Sequence, residues 1–243
     1  MVDYQNVHLV GHAVFGGPSP KHETLVDPGF YAAQLLQERN RRQRPGYPAA
    51  ALRRVLVYRG EPSPEHDAQD YARSQSQKAH WERDRRVKVT LRPLKYDYQR
   101  DATGRPATLP DGSRIVTGKR EKGVDVLCAL AAVREARDPT TDLIIMASSD
   151  SDLAPVLDEV VLIDQAKMET ASWYDPVTRV DRALRGSATR TWNTRLNRTH
   201  FEAARDLTVY SDLSALTSRV TVPDRVDPGQ PATAGRTRST PYP

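Results

Sequence analysis

Four aspartates and one asparagine stand where an α/β chain would gather them. Asp3 follows Met1-Val2 directly, and Asn6 lies one helical turn further on. Asp125 sits within Lys122-Gly123-Val124-Asp125-Val126. Asp150 and Asp152 sit within Ser148-Ser149-Asp150-Ser151-Asp152, just past the apolar run Leu143-Ile144-Ile145-Met146-Ala147. Each acid alone has an ordinary use. Aspartate is favoured in the first turn of a helix by the helix dipole, Ser149 or Asp150 can cap a helix, and Asp3 can start a turn. Together they imply more. Four carboxylates at one end of a sheet repel one another, and something must offset that repulsion. A hard divalent cation with oxygen ligands does so, and Mg2+ or Mn2+ is the expected ion. Such a cation typically keeps one or two carboxylates, several waters and a substrate phosphate.

Basic residues flank the acids. Lys119, Arg120 and Lys122 adjoin the Asp125 motif and are expected to hold a phosphodiester backbone against the acidic pocket. Two other basic groups, Arg39–Arg44 with Arg53 and Arg54, and Arg83–Lys88, read as helix-end or solvated charges. Tyr4 has two uses, stacking on a base or packing in a core. The six histidines show no ligand spacing with cysteine, which disfavours zinc. The single cysteine, Cys128, lies in an alanine-rich helical run and excludes an intrachain disulfide. Gly-x-Gly-x-x-Gly, P-loop and Gly-x-Ser-x-Gly patterns are missing, so nucleotide-cofactor and serine-hydrolase chemistry have no support.

The elements that must position these residues alternate. Met1-Val2 is a strand fragment. A helix is expected from Asp27-Pro28 to Arg42, a strand at Val55–Tyr58, a helix from Ser63-Pro64 to about Arg83, and a strand at Val87–Leu91. Gly104-Arg105-Pro106 and Pro110-Asp111-Gly112 mark a hairpin or ordered loop within residues 95–118. A helix follows over about 121–137, and then the run Leu143–Ala147, whose continuous apolar character fits a strand buried on both faces. Another helix starts at Ser151, and Glu169–Trp173 is the fifth strand. Asp175-Pro176 and the Thr199-x-x-Glu202 capping box are expected to open two more helices. Strands separated by helices imply a mainly parallel α/β sheet of about five strands with helices on both faces. Ligands of such sheets bind outside the carboxyl ends of the strands, where all four aspartates fall.

Three segments, Asp3-Tyr4-Gln5-Asn6-Val7, Lys122-Gly123-Val124-Asp125-Val126 and Ser149–Val156, resemble in order and spacing the three signature motifs of the NYN domain family, part of the PIN-like nuclease group. The resemblance covers roughly residues 1–185, extending to about 210. It implies a PIN-like three-layer fold and a metal-dependent ribonuclease, although some members bind RNA or protein without cleaving. It gives metal-cluster roles to Asp3, Asp125, Asp150 and Asp152, with Asp3 and Asp150 as the main direct ligands. Asn6 becomes an orienter of substrate or water. Relatives carry several apolar residues before the first aspartate, whereas here only Met1 and Val2 precede Asp3. The expectation is either a severely shortened central strand or a start assigned too late.

Length and charge bound the reading. The 243 residues fit one domain with an extension, expected over 1–220, and a Pro/Gly/Thr-rich disordered tail over 221–243. No apolar run approaches a membrane span, and no signal peptide is visible, so a cytoplasmic protein without membrane partners is expected. The formal charge of +5 mildly favours a polyanionic partner. The expected function is a metal-dependent endoribonuclease acting on single-stranded RNA. The alternatives are a non-cleaving RNA- or protein-binding module and a metal-dependent phosphatase for small molecules.

Overall fold

The computed structural model describes residues 1–186 and 190–210. The expected boundary near 220 and the tail 221–243 lie outside the described residues.

The described residues form nine strands and six α-helices. The strands are β1 (Val2–Asp3), β2 (Val55–Glu61), β3 (Val87–Pro93), β4 (Lys95–Tyr98), β5 (Val116–Arg120), β6 (Leu143–Ala147), β7 (Lys167–Asp175), β8 (Val180–Asp181) and β9 (Trp192–Leu196). The helices are α1 (Tyr4–Phe15), α2 (Pro28–Arg41), α3 (Ala68–Trp81), α4 (Val124–Ala136), α5 (Ala154–Ile163) and α6 (Arg198–Ala203). The main sheet runs β3-β2-β1-β6-β7, with β9 continuing it beyond β7. All of these pairings are parallel, and only the short β8 joins β7 antiparallel. The architecture is therefore α/β with a mostly parallel central sheet. It has more strands than the five expected, because β8 and β9 were not legible.

Alternation of side chains divides the apolar residues between two faces. Val55 and Val57 of β2, Ala147 of β6 and Ala171 and Trp173 of β7 join Val7, Tyr31, Leu35, Trp81 and Phe201 in one core. Tyr58, Ile144, Met146 and Met168 join Val124, Cys128, Leu157 and Val160 in the other. Helices α1, α2, α3 and α6 thus cover one face, and α4 and α5 the other. That two-sided burial explains the unbroken apolar run of β6.

The chain leaves β1 in one direction, through β2 to β3. It returns past the antiparallel β4–β5 hairpin and α4 to lay β6 against the other edge of β1. The strand order reverses between β1 and β6, and that crevice is the usual ligand position of an open α/β sheet. The hairpin docks on the segment before α3, where the Tyr96 hydroxyl donates to Asp67 at 2.5 Å and Lys119 pairs with Asp67 at 3.0 Å.

Three expected element starts are corrected. Asp175-Pro176 opens no helix. The Asp175 carboxylate accepts from Val177 N–H at 3.1 Å and from the Thr178 hydroxyl at 2.8 Å, and the resulting turn leads into β8. Helix α6 is capped by Asn197, whose side chain accepts from His200 N–H at 3.4 Å, so Thr199 lies inside the helix. Helix α3 begins at Ala68, after a turn at Pro64–His66, and not at Ser63-Pro64. Helix α2 starts as expected, with Asp27 accepting from Gly29 and Phe30 N–H at 2.8 and 2.9 Å ahead of Pro28. Among the described residues no helix is long and apolar enough to cross a membrane.

Candidate metal centre

Strand β1 ends at Asp3, and the chain turns at once into α1. The Asp3 carboxylate caps that helix weakly, accepting from Asn6 N–H at 3.4 Å, and also accepts from the Ser148 hydroxyl at 2.8 Å. Asp3 is only 4% exposed. Burial pushes its carboxyl up to about 6, and the neighbouring Asp125 and Asp150 charges push the same way.

Beside it, β6 leads into Ser148-Ser149-Asp150. Ser148 Oγ accepts from Asp150 N–H at 3.0 Å while donating to Asp3, so one serine fixes two of the acids. The Asp150 carboxylate caps a 3-10 turn over Ser151–Leu153, accepting from Asp152 N–H at 3.0 Å. Asn6 holds the same loop from α1, because its Oδ1 accepts from Ser149 N–H at 2.8 Å and from the Ser149 hydroxyl at 3.0 Å.

Asp125 arrives from the opposite layer, in the first turn of α4. Gly123 precedes that helix with φ +77°, a left-handed conformation that side chains resist. Burial raises the Asp125 carboxyl, with help from the charges of Asp150 and Asp152.

One carboxylate oxygen from each of Asp3, Asp125 and Asp150 lies within 4.8 Å of the other two. Asp152 does not join this group. It is exposed on the 3-10 turn, where its backbone N–H donates to Asp150 and its charge acts on Asp125. Of the four expected aspartates, three meet within this distance and Asp152 lies outside it. The reason is local: Asp150 is half-buried as the cap, and Asp152 is exposed on the turn that Asp150 caps.

Sequence reasoning missed a further acid. Glu121 accepts from Gly60 N–H, and the Gln5 amide, turned so that its NH2 faces the carboxylate, donates to both oxygens at 2.8 Å. Burial raises the Glu121 carboxyl, and the charges of Asp3 and Asp125 add to that. Its signal was the acid embedded in Lys119-Arg120-Glu121-Lys122, which reads as a basic run.

Two of the three expected phosphate-holding residues are engaged elsewhere. Lys119 pairs with Asp67 at 3.0 Å and Asp70 at 3.1 Å, and Arg120 pairs with Asp97 across the hairpin. Lys122 is exposed, and no ion pair to it occurs among the described residues. Tyr4 is buried, with its ring 4.7 Å from that of Trp81, so it packs and is not available to a base. His8 and His12 share a face of α1 but bond to Lys21 O and the Thr24 hydroxyl at 2.9 and 3.0 Å.

The donor set at Asp3, Asp125 and Asp150 is all oxygen. Among the described residues no Lys or Arg forms an ion pair with any of the three. Clustered charge without a cationic partner, at a strand-end crevice, suits a hard divalent cation. Fold and site together define a mostly parallel α/β protein with a three-aspartate cluster at its topological switch point. No family model, curated protein or solved structure matches the chain.

Proposed function

We propose that this chain is a cytoplasmic, metal-dependent endoribonuclease of the NYN/PIN-like group that hydrolyses phosphodiester bonds in single-stranded RNA. The observation that carries the reading is the meeting of Asp3, Asp125 and Asp150 within 4.8 Å at the β1/β6 crevice, without a cationic partner. These residues would hold Mg2+ or Mn2+, with Asp3 and Asp150 as the principal ligands. A divalent ion there supplies Lewis acidity toward a phosphodiester oxygen and makes water more acidic.

The chain's own groups prepare that chemistry. Ser148 holds one Asp3 oxygen and the Asp150 backbone in fixed relation. Asn6 pins the Ser149 backbone and keeps the Asp150 loop against α1. Asp152 adds negative charge at the mouth, and Lys122 attracts the backbone of an incoming strand. A flexible single strand can bring one phosphate into a narrow acidic crevice, which a stiff duplex does less readily.

The test is cleavage of labelled single-stranded RNA with Mg2+ or Mn2+, followed by analysis of product ends. Direct attack by water leaves a 5′-phosphate and a 3′-hydroxyl. Asp3→Asn and Asp150→Asn are each expected to abolish cleavage while leaving RNA binding intact or tighter. Cyclic-phosphate ends, or cleavage that persists in EDTA, would overturn the mechanism. No cleavage across varied RNAs and both metals would replace it with the binding-module reading.

A further inference from the structure

Residues 92–122, which link β3 to α4, hold eight Lys and Arg against four Asp and Glu. This one segment therefore carries +4 of the chain's formal +5. Its position matters as much as its charge. Asp3 is level with Tyr58, and Tyr58 with Thr90, so β3 runs on for three residues past the level of Asp3 before it ends at Pro93. At about 3.3 Å per residue, the segment leaves the sheet about 10 Å beyond that level. It rejoins the fold just ahead of Asp125, and its two roots are tied where Arg92 Nε donates to Lys122 O at 2.7 Å. Both roots thus stand at the acid end of the sheet.

One side of the β4–β5 hairpin is anchored. Ser63 N–H donates to the Tyr96 hydroxyl at 2.8 Å, and His66 Nε2 lies 2.9 Å from the Tyr98 hydroxyl. Beyond β4 and β5, the tip over 99–115 is ordered by its own bonds. Ala107 N–H donates to Gln99 O at 2.8 Å, and Ile115 N–H donates to Ala107 O at 3.0 Å. Two turns close on aspartates. Asp101 accepts from Thr103 and Arg105 N–H at 2.8 and 3.0 Å, and Asp111 accepts from Ser113 N–H at 2.9 Å. The three arginines of the tip are left outside this closure. Arg100, Arg105 and Arg114 are exposed, and none forms an ion pair among the described residues. Arg100 donates to Gly104 O at 2.6 Å, and Arg114 lies over the Tyr98 ring, 5.4 Å from its centroid. Arg39, Arg42 and Arg54, by contrast, sit beside carboxylates that hold the fold together.

On the ribonuclease reading above, on which this step rests, we infer that the tip is a second grip for single-stranded RNA. Arg100, Arg105 and Arg114 bind backbone phosphates of a strand whose scissile phosphate lies at the acids. A guanidinium fork matches two phosphate oxygens at once. Ordered turns fix where each fork begins, so little freedom is lost when a strand arrives. Arg114, laid on Tyr98, adds a surface on which a base can stack. A nucleic-acid strand offers one charge per nucleotide at regular intervals, which suits three separated cations better than a compact anion does.

The experiment measures binding of a labelled single-stranded RNA to the full chain in EDTA, where metal-dependent cleavage does not enter, over a range of salt. Replacing all three residues, Arg100→Gln, Arg105→Gln and Arg114→Gln, is expected to lower the slope of log affinity against log salt by about 2 and to weaken binding about tenfold at low salt. Arg100→Lys, Arg105→Lys and Arg114→Lys together keep the charge and are expected to keep the slope to within about 0.5. An unchanged slope in the glutamine variant overturns the inference. An equal loss in the lysine variant does so too, since the loss then comes from the shape of the tip. Polyglutamate at equal charge is expected to displace the RNA poorly, and displacement as strong as that by unlabelled RNA would give the tip to an acidic polypeptide instead. Cleavage with Mg2+ is read separately. A chain that binds RNA through the tip but never cleaves keeps the grip and loses the nuclease reading, whereas a chain that binds no RNA loses both.

Discussion

Asp3 has two duties that oppose each other. Its carboxylate accepts from Ser148 and caps α1, yet burial lifts its carboxyl from 3.8 to about 6. A carboxyl raised in this way binds its proton more tightly in the folded chain than in the unfolded one. Its contribution to stability is therefore full below about pH 4 and is lost as pH rises through about 6. A divalent ion competes with that same proton, so metal binding and acid oppose one another. The Tm increment given by millimolar Mg2+ is expected to be full near about pH 8 and to shrink steeply below about pH 6, read by calorimetry. An increment independent of pH over that range would remove Asp3 from the ion's ligands. Neighbouring acids separate by position. Asp150→Asn removes both a ligand and a like charge, so it should raise the Tm of the metal-free protein and erase the increment. Asp152→Asn, outside the three-oxygen group, should leave most of the increment in place. Equal loss in the two variants would mean that the working cluster has four members.

Elements bring these acids together through a few close approaches. Helix α1 lies so near β7 and α6 that a Cβ on Gly11 would come 2.9 Å from Phe201 Cε2 and 2.9 Å from Trp173 Nε1. The same indole donates to Val7 O at 2.8 Å and locks α1 in place above the sheet. Helix propensity alone makes alanine about 1 kcal/mol better than glycine at an interior position. The packed site reverses that sign, and Gly11→Ala is expected to destabilise by about 1–3 kcal/mol in urea unfolding. A stabilised variant would show that α1 has room to move. The sequence revealed this scale unevenly. Aspartates just past strong strand signals, or in a first helical turn, could be placed because strand ends and helix starts are where the motifs stood. Strand β9 was hidden, since only Thr194 and Leu196 of its five residues are buried and its pattern is mostly polar. The turn after Asp175 was misread because one carboxylate can cap a helix or close a turn with the same hydrogen bonds. Glu121 was masked by its basic neighbours. Its environment depends on Gly60 and Gln5, which are distant in sequence.

Across the whole molecule, the count of 36 Lys and Arg overstates the positive charge free to meet a polyanion. Much of it is spent internally. Arg39 pairs with Glu169, Arg41 and Arg42 pair with Glu38, and Arg53 and Arg54 pair with Asp138. Arg83, Arg85 and Lys88 are exposed, but they precede or begin β3 and so lie at the opposite end of the parallel sheet from the acids. They are poorly placed to steer a strand into the β1/β6 crevice. Lys122 differs, being exposed, unpaired among the described residues and only three positions from Asp125. If RNA lies across the crevice, Lys122 neutralises a backbone phosphate, and Lys119 stays with Asp67 and Asp70 to hold the hairpin to α3. Each phosphate contact on a single strand contributes about 0.7 to the slope of log affinity against log salt. Lys122→Ala should therefore lower that slope by about 0.7–1 and weaken binding at low salt, measured by fluorescence anisotropy with a labelled oligonucleotide. Lys119→Ala should leave the slope unchanged and instead speed proteolytic cutting of the hairpin. If Lys119→Ala lowers the slope as much as Lys122→Ala does, the Lys119 pairs open on binding and the hairpin belongs to the RNA surface. If neither changes it, the strand does not pass over this side of the crevice.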